Sequence, residues 1–126
     1  MKLIAWIAAG GAVGAVARYG VVVAAAHLWG AAFPWGTLTV NVVGSFILGA
    51  LVEVMALIWS PSEGMRAFLV IGMLGAFTTF STFSLDVVSL YQRGAMAAAA
   101  GYVLASVVLS VVALFAGLAV ARAVLS

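Results

Sequence analysis

Gly72-Met73-Leu74-Gly75-Ala76-Phe77-Thr78-Thr79-Phe80-Ser81-Thr82-Phe83-Ser84 lies inside an apolar segment long enough to cross a bilayer, yet it does not read as lipid-facing sequence. Two glycines, three threonines, two serines and three phenylalanines fall within thirteen residues. Gly75 followed by the β-branched pair Thr78-Thr79 makes a poor helix interior. The hydroxyls need partners away from water. Irregular backbone at membrane depth survives only where protein buries it or where it lines a wet cavity. The stretch therefore predicts a membrane helix broken near its middle, with carbonyls and donors freed for binding.

The surrounding composition agrees. Of 126 residues, 67% are hydrophobic and 6% are charged, against roughly 25% charged in a soluble domain. Five basic and three acidic side chains cannot cover a water-soluble surface, and no basic cluster offers a footing for nucleic acid. There is no cysteine, so disulfides and thiolate metal sites are excluded, and His27 is the single histidine. No nucleophile–base pair or metal-ligand cluster suggests an enzyme.

Four apolar segments follow from the pattern: about Leu3–Trp29, Thr37–Trp59, Met65–Tyr91 and Ala95–Leu125. Each exceeds the ~20 residues that span the hydrocarbon. The first has the flavour of a secretory signal, but its apolar character continues past Arg18 to Trp29, which predicts a retained membrane helix. Trp6, Trp29, Trp35, Trp59 and Tyr91 sit near segment ends, where interfacial aromatics belong. The expectation is a single all-α integral membrane domain of four helices over residues 1–126, with lipid around it.

Lys2, Arg66 and Arg122 fall on one side of such a topology and Arg93 on the other, a weak orientation signal. It suits insertion both ways and pairing with an inverted copy, and a fixed orientation equally. Gly10-Gly11-Ala12-Val13-Gly14-Ala15 and Gly44-Ser45-Phe46-Ile47-Leu48-Gly49 carry small residues at helical spacing, which permits close helix approach in lipid. A chain this small cannot enclose a pore alone, so a homodimer is the minimal expectation.

Intramembrane polar residues are functional candidates because they are costly. The Asn41 amide could donate to an anion or tie helices together, the latter being the commoner use. Tyr102, Ser106 and Ser110 lie at i, i+4 and i+8 on one helix face and extend over ~12 Å. They form either a ladder of hydroxyls or a set of side chains bonded back to their own helix. Phe80 and Phe83, at i and i+3, share a face. Such a pair ordinarily means packing, but the positive ring edges also attract a small anion without holding it fast. Ser81, Thr82 and Ser84 interleave hydroxyl donors. Arg18 could snorkel or attract anions in a vestibule. Glu53 and Asp86 read as snorkelling groups or arginine partners.

These motifs together, in order across all four segments, resemble the Fluc/CrcB family of small dual-topology fluoride channels. The match runs through Gly10–Ala15 and Arg18-Tyr19, Gly36-Thr37-Leu38-Thr39-Val40-Asn41, Gly44-Ser45-Phe46, Gly72–Ser84, and Tyr102 with Ser106 and Ser110. Asp86 departs from the pattern, since a glutamate is expected there. The resemblance implies passive fluoride export across the plasma membrane by an antiparallel homodimer with two pores. It implies a fluoride path lined or abutted by Asn41, Phe80, Ser81, Thr82, Phe83, Tyr102, Ser106 and Ser110. It further implies a structural sodium held by the main-chain carbonyls of Gly75 and Thr78 from both subunits. A small multidrug-type cation exporter is the rival reading, but it needs a carboxylate in the first helix, and none is there. A non-transporting assembly subunit is the other alternative.

Overall fold

A computed structural model describes Lys2–Ser126. Helix α1 runs Lys2–Trp29 and α2 runs Trp35–Leu57. The third passage is composite: α3 Glu63–Arg66, a π-helical segment Ala67–Leu74, α4 Gly75–Phe77, and α5 Ser81–Gln92. Helix α6, Met96–Leu125, returns. Four stretches, with the third counted from Glu63 to Gln92, are long and apolar enough to cross a membrane. The chain is a multi-pass membrane protein, and its four passages match the expected ones to within two residues at each end.

The turns follow from local chemistry. The Ser62 hydroxyl accepts the Met65 N–H at 3.1 Å and starts α3, a standard use of serine at a helix N-terminus. Gly94, at φ +79, ends α5. The Gly94 N–H bonds the Tyr91 carbonyl and the Ala95 N–H bonds the Leu90 carbonyl, the paired bonds of a Schellman stop that favours glycine. Arg93 donates to the Ala32 carbonyl at 2.8 Å, tying this turn to the α1–α2 loop.

Two seams of close backbone approach set the helix positions. Along α1, a methyl on Gly10 would strike the Phe68 carbonyl, and one on Gly14 the Met73 carbonyl. The third passage is therefore pressed directly on α1. Along α2 and α6 the exchange is reciprocal: Gly49 faces the Leu114 carbonyl, and Gly117 faces the Phe46 carbonyl. One turn past Gly49, buried Glu53 meets Arg122 at 3.3 Å and extends that seam. Gly44 abuts Thr78 and Phe77. Gly10, Gly14, Gly44 and Gly49 of the two small-residue stretches are thus packed inside the chain, whereas Gly11 has nothing within 4 Å.

The π-helical Ala67–Leu74 segment was not foreshadowed by the sequence. Such segments are rare and gather near functional positions; this one leads into the break. The break itself is narrower and later than expected. Gly75 is an ordinary helical residue at φ −61, ψ −37, whereas Thr78 is extended at φ −85, ψ 159. Only Thr78, Thr79 and Phe80 leave the helix.

Candidate functional site

At the break the main chain is held by side chains from two other helices. Asn41 of α2 faces Thr79 squarely: its Oδ1 accepts the Thr79 N–H at 2.8 Å and its Nδ2 donates to the Thr79 carbonyl at 3.1 Å. Arg18 of α1 reaches both flanks: Nε donates to the Ala76 carbonyl at 3.0 Å and an Nη to the Thr82 hydroxyl at 3.3 Å. Thr79 then starts α5, its hydroxyl accepting the Thr82 N–H at 3.2 Å. These bonds displace helical ones. The Thr79 and Thr82 amides, which in an unbroken helix would satisfy the Gly75 and Thr78 carbonyls, are taken by side-chain oxygens.

Beside the break lies an open groove of about 350 Å³. Asn41 and Ser45 of α2 form one wall, Thr78 and Thr79 the centre, Phe80 and Phe83 the mouth of α5, and Ser106 and Ser110 with Val107 and Val111 the wall of α6. The Phe80 and Phe83 rings stand 5.5 Å apart, tilted at 47°. Phe83 is 9% exposed and Phe80 77%, so the pair has one anchored and one open ring.

The hydroxyls divide into two populations. Thr39, Thr78 and Ser84 each donate back to a carbonyl four residues earlier, at 2.8 to 2.9 Å, the usual fate of such groups in apolar helices. Ser106 and Ser110 do not. Their oxygens are buried and have no hydrogen-bond partner among the described residues.

Other sequence candidates sit elsewhere. Tyr102 is fully buried, its ring 5.4 Å from Phe33 and 5.1 Å from Phe83, and its hydroxyl donates to Asp86 at 3.1 Å. It supports Phe83 from behind and does not line the groove. Thr82 opens with Asp86 and Thr37 on a separate cavity of about 220 Å³. Ser81 is exposed, with its hydroxyl 3.5 Å from that of Thr79. Arg18 is half-buried at the back of the break. Asp86 pairs with a tyrosine and not an arginine, whereas Glu53 does take an arginine. Ser45 and Thr79 were not singled out from the sequence as groove residues. The i, i+4 rule applied to Ser106 and Ser110 would have found Ser45 from Asn41.

The family described as CrcB-like protein, Camphor Resistance (CrcB), matches residues 5–118. The chain belongs to the CrcB family. A protein named fluoride-specific ion channel FluC from Rhodospirillum centenum is 57% identical over 122 residues, covering 97% of each chain. Its namesake from Agrobacterium fabrum is 58% identical over 119 residues, covering 94% of this chain and 95% of its own. That from Chelativorans sp. is 58% identical over 116 residues, covering 92% and 93%. In this CrcB chain, then, the similarity extends across all four passages and takes in both walls of the groove.

Proposed function

We propose that the chain is one half of a fluoride-selective channel that lets fluoride leave the cell passively through the plasma membrane. The observation that carries this reading is the pair of buried, partnerless hydroxyls of Ser106 and Ser110 on a groove shared with Asn41 and two tilted phenylalanines. Buried donors without partners are costly. A dehydrating anion running along the groove relieves that cost and is itself stabilised. The similar proteins named fluoride-specific channels supply the identity of the anion.

Asn41 contributes through its remaining hydrogen. An amide nitrogen has two donors, one of which is committed to the Thr79 carbonyl. Phe80 and Phe83 offer ring edges of partial positive charge, attractive enough to strip water yet too weak to trap the ion. Glu53 and Asp86 are engaged by Arg122 and Tyr102, so no carboxylate stands in the groove to favour cations. Arg18 places a positive charge behind the break, where it attracts anions. The membrane potential drives export at ~2.3 kcal/mol per charge per 100 mV.

The groove is open along one side, and the open ring of Phe80 stands at its mouth. A second copy of the chain, inverted so that its groove faces this one, closes the path and gives an antiparallel homodimer. A structural sodium at that junction suits the donor set. The carbonyls of Gly75 and Thr78 have lost their helical amides to Asn41 and Thr79, and hard cations take oxygen ligands. Among the described residues no cluster of His, Cys, Asp or Glu gathers to hold a metal, so main-chain oxygens are the available ligands.

The direct test is fluoride release from liposomes holding the purified protein alone, followed with a fluoride electrode. Rapid release supports the channel; release no faster than from empty liposomes refutes it.

A further inference from the structure

Gly10, Gly14 and Arg18 stand at i, i+4 and i+8, on one face of α1. The two glycines press against the Phe68 and Met73 carbonyls, and that contact carries Arg18 to the break. There one planar guanidinium bonds both sides of the gap: the Ala76 carbonyl at the end of α4 and the Thr82 hydroxyl in the first turn of α5. Asn41 grips Thr79 between those two points from the opposite helix. The Thr78 N–H still bonds the Leu74 carbonyl, and the Phe80 carbonyl takes the Ser84 N–H. Between them Thr78 is extended and the Thr79 N–H goes to Asn41, so the helical ladder is interrupted where the angle of α5 is set. Phe80 and Phe83 ride on that angle.

We propose that Arg18 is a positioning residue of the pathway: its fork braces the two halves of the broken passage and so sets where the Phe80 and Phe83 rings stand. This rests on the fluoride-channel reading and adds to it a role for geometry beyond charge. Arginine presents a rigid planar fork, whereas lysine presents a compact charge on a flexible stem. Arg18→Lys therefore keeps the charge that attracts an anion and loses the brace. Thr82→Val removes one of the two braced atoms and leaves the charge untouched.

The experiment compares wild type, Arg18→Lys, Thr82→Val and the double variant as purified proteins in liposomes and planar bilayers. Fluoride flux, fluoride-to-chloride permeability from the reversal potential, and salt dependence are read together. Arg18→Lys is expected to lose at least tenfold in flux, by the same factor at low and high ionic strength, with a shifted permeability ratio. Thr82→Val loses severalfold, and the double variant is no worse than Arg18→Lys, because both changes remove one interaction. Wild-type flux in Thr82→Val overturns the proposal, even where Arg18→Lys fails to assemble. So does an Arg18→Lys channel that conducts normally while Arg18→Gln fails mainly at low salt, the signature of long-range attraction. Hydrogen exchange at the Thr79 and Thr82 amides gives a readout independent of conduction. Faster exchange in Arg18→Lys supports the brace even if wild type passes no fluoride, an outcome that would sink the channel reading instead. Unchanged exchange at both amides counts against the brace.

Discussion

Asn41 and Thr79 form a closed ring of two hydrogen bonds, one to the Thr79 N–H at 2.8 Å and one from Nδ2 to its carbonyl at 3.1 Å. A side chain of α2 thus replaces the helix neighbours that Thr79 lacks, and the break exists because that replacement is available. Asn41→Leu leaves a main-chain N–H and carbonyl without partners and should cost about 1–3 kcal/mol of stability, measurable by thermal unfolding in detergent. Asn41→Asp retains the acceptor, loses both donors and brings a negative charge to the groove. Its fluoride flux should fall at least a hundredfold; flux near wild type would remove Asn41 from the pathway.

Ser106→Ala and Ser110→Ala separate function from stability. Each change deletes a buried hydroxyl that has no partner, so stability should stay level or rise by up to about 1 kcal/mol. Flux should fall severalfold in each. A loss of stability in both, paired with unchanged flux, would mean that the hydroxyls serve the fold.

Phe80→Ile and Phe83→Ile should both slow fluoride and leave the oligomeric state unchanged from wild type, as judged by size-exclusion chromatography. Their stabilities should differ. Phe83 is buried against Tyr102 and its replacement should cost about 1 kcal/mol or more; Phe80 is open and should cost little. Wild-type flux in both variants would refute the ring-edge role.

Much of this was legible beforehand, for identifiable reasons. Length and hydropathy locate the passages because a bilayer allows few alternatives. The break was expected from Gly75 onward, but Gly75 keeps helical dihedrals, and the chain departs only at Thr78, beside the Thr79 that Asn41 holds. The i, i+4, i+8 spacing puts Tyr102 on the same helix face as Ser106 and Ser110. It does not report side-chain length, and the long tyrosine carries its hydroxyl to Asp86. Arg18 read as a charge because sequence gives no partner; its two bonds span 58 and 64 residues. Nothing in the pattern marked the π-helical segment.

The α2–α6 seam tests the fold apart from the site. Gly117→Val drives a side chain into the Phe46 carbonyl and should destabilise by about 3 kcal/mol. Gly20→Ala meets nothing within 4 Å and should be neutral or gain up to about 1 kcal/mol from helix propensity. Thermal unfolding of the pair checks both; equal midpoints would contradict the seam.

Sodium is testable by substitution. If the Gly75 and Thr78 carbonyls hold it across the junction, replacing sodium on both sides by N-methylglucamine should abolish flux and weaken the dimer. Full flux after exhaustive exchange would leave those carbonyls without that role.

The central claim is selectivity, and a bi-ionic recording tests it most directly. With fluoride on one side of a planar bilayer and equal chloride on the other, purified wild-type protein should give a reversal potential far toward that of fluoride, with no measurable chloride current. A reversal potential near zero, showing comparable chloride permeability, would contradict the account.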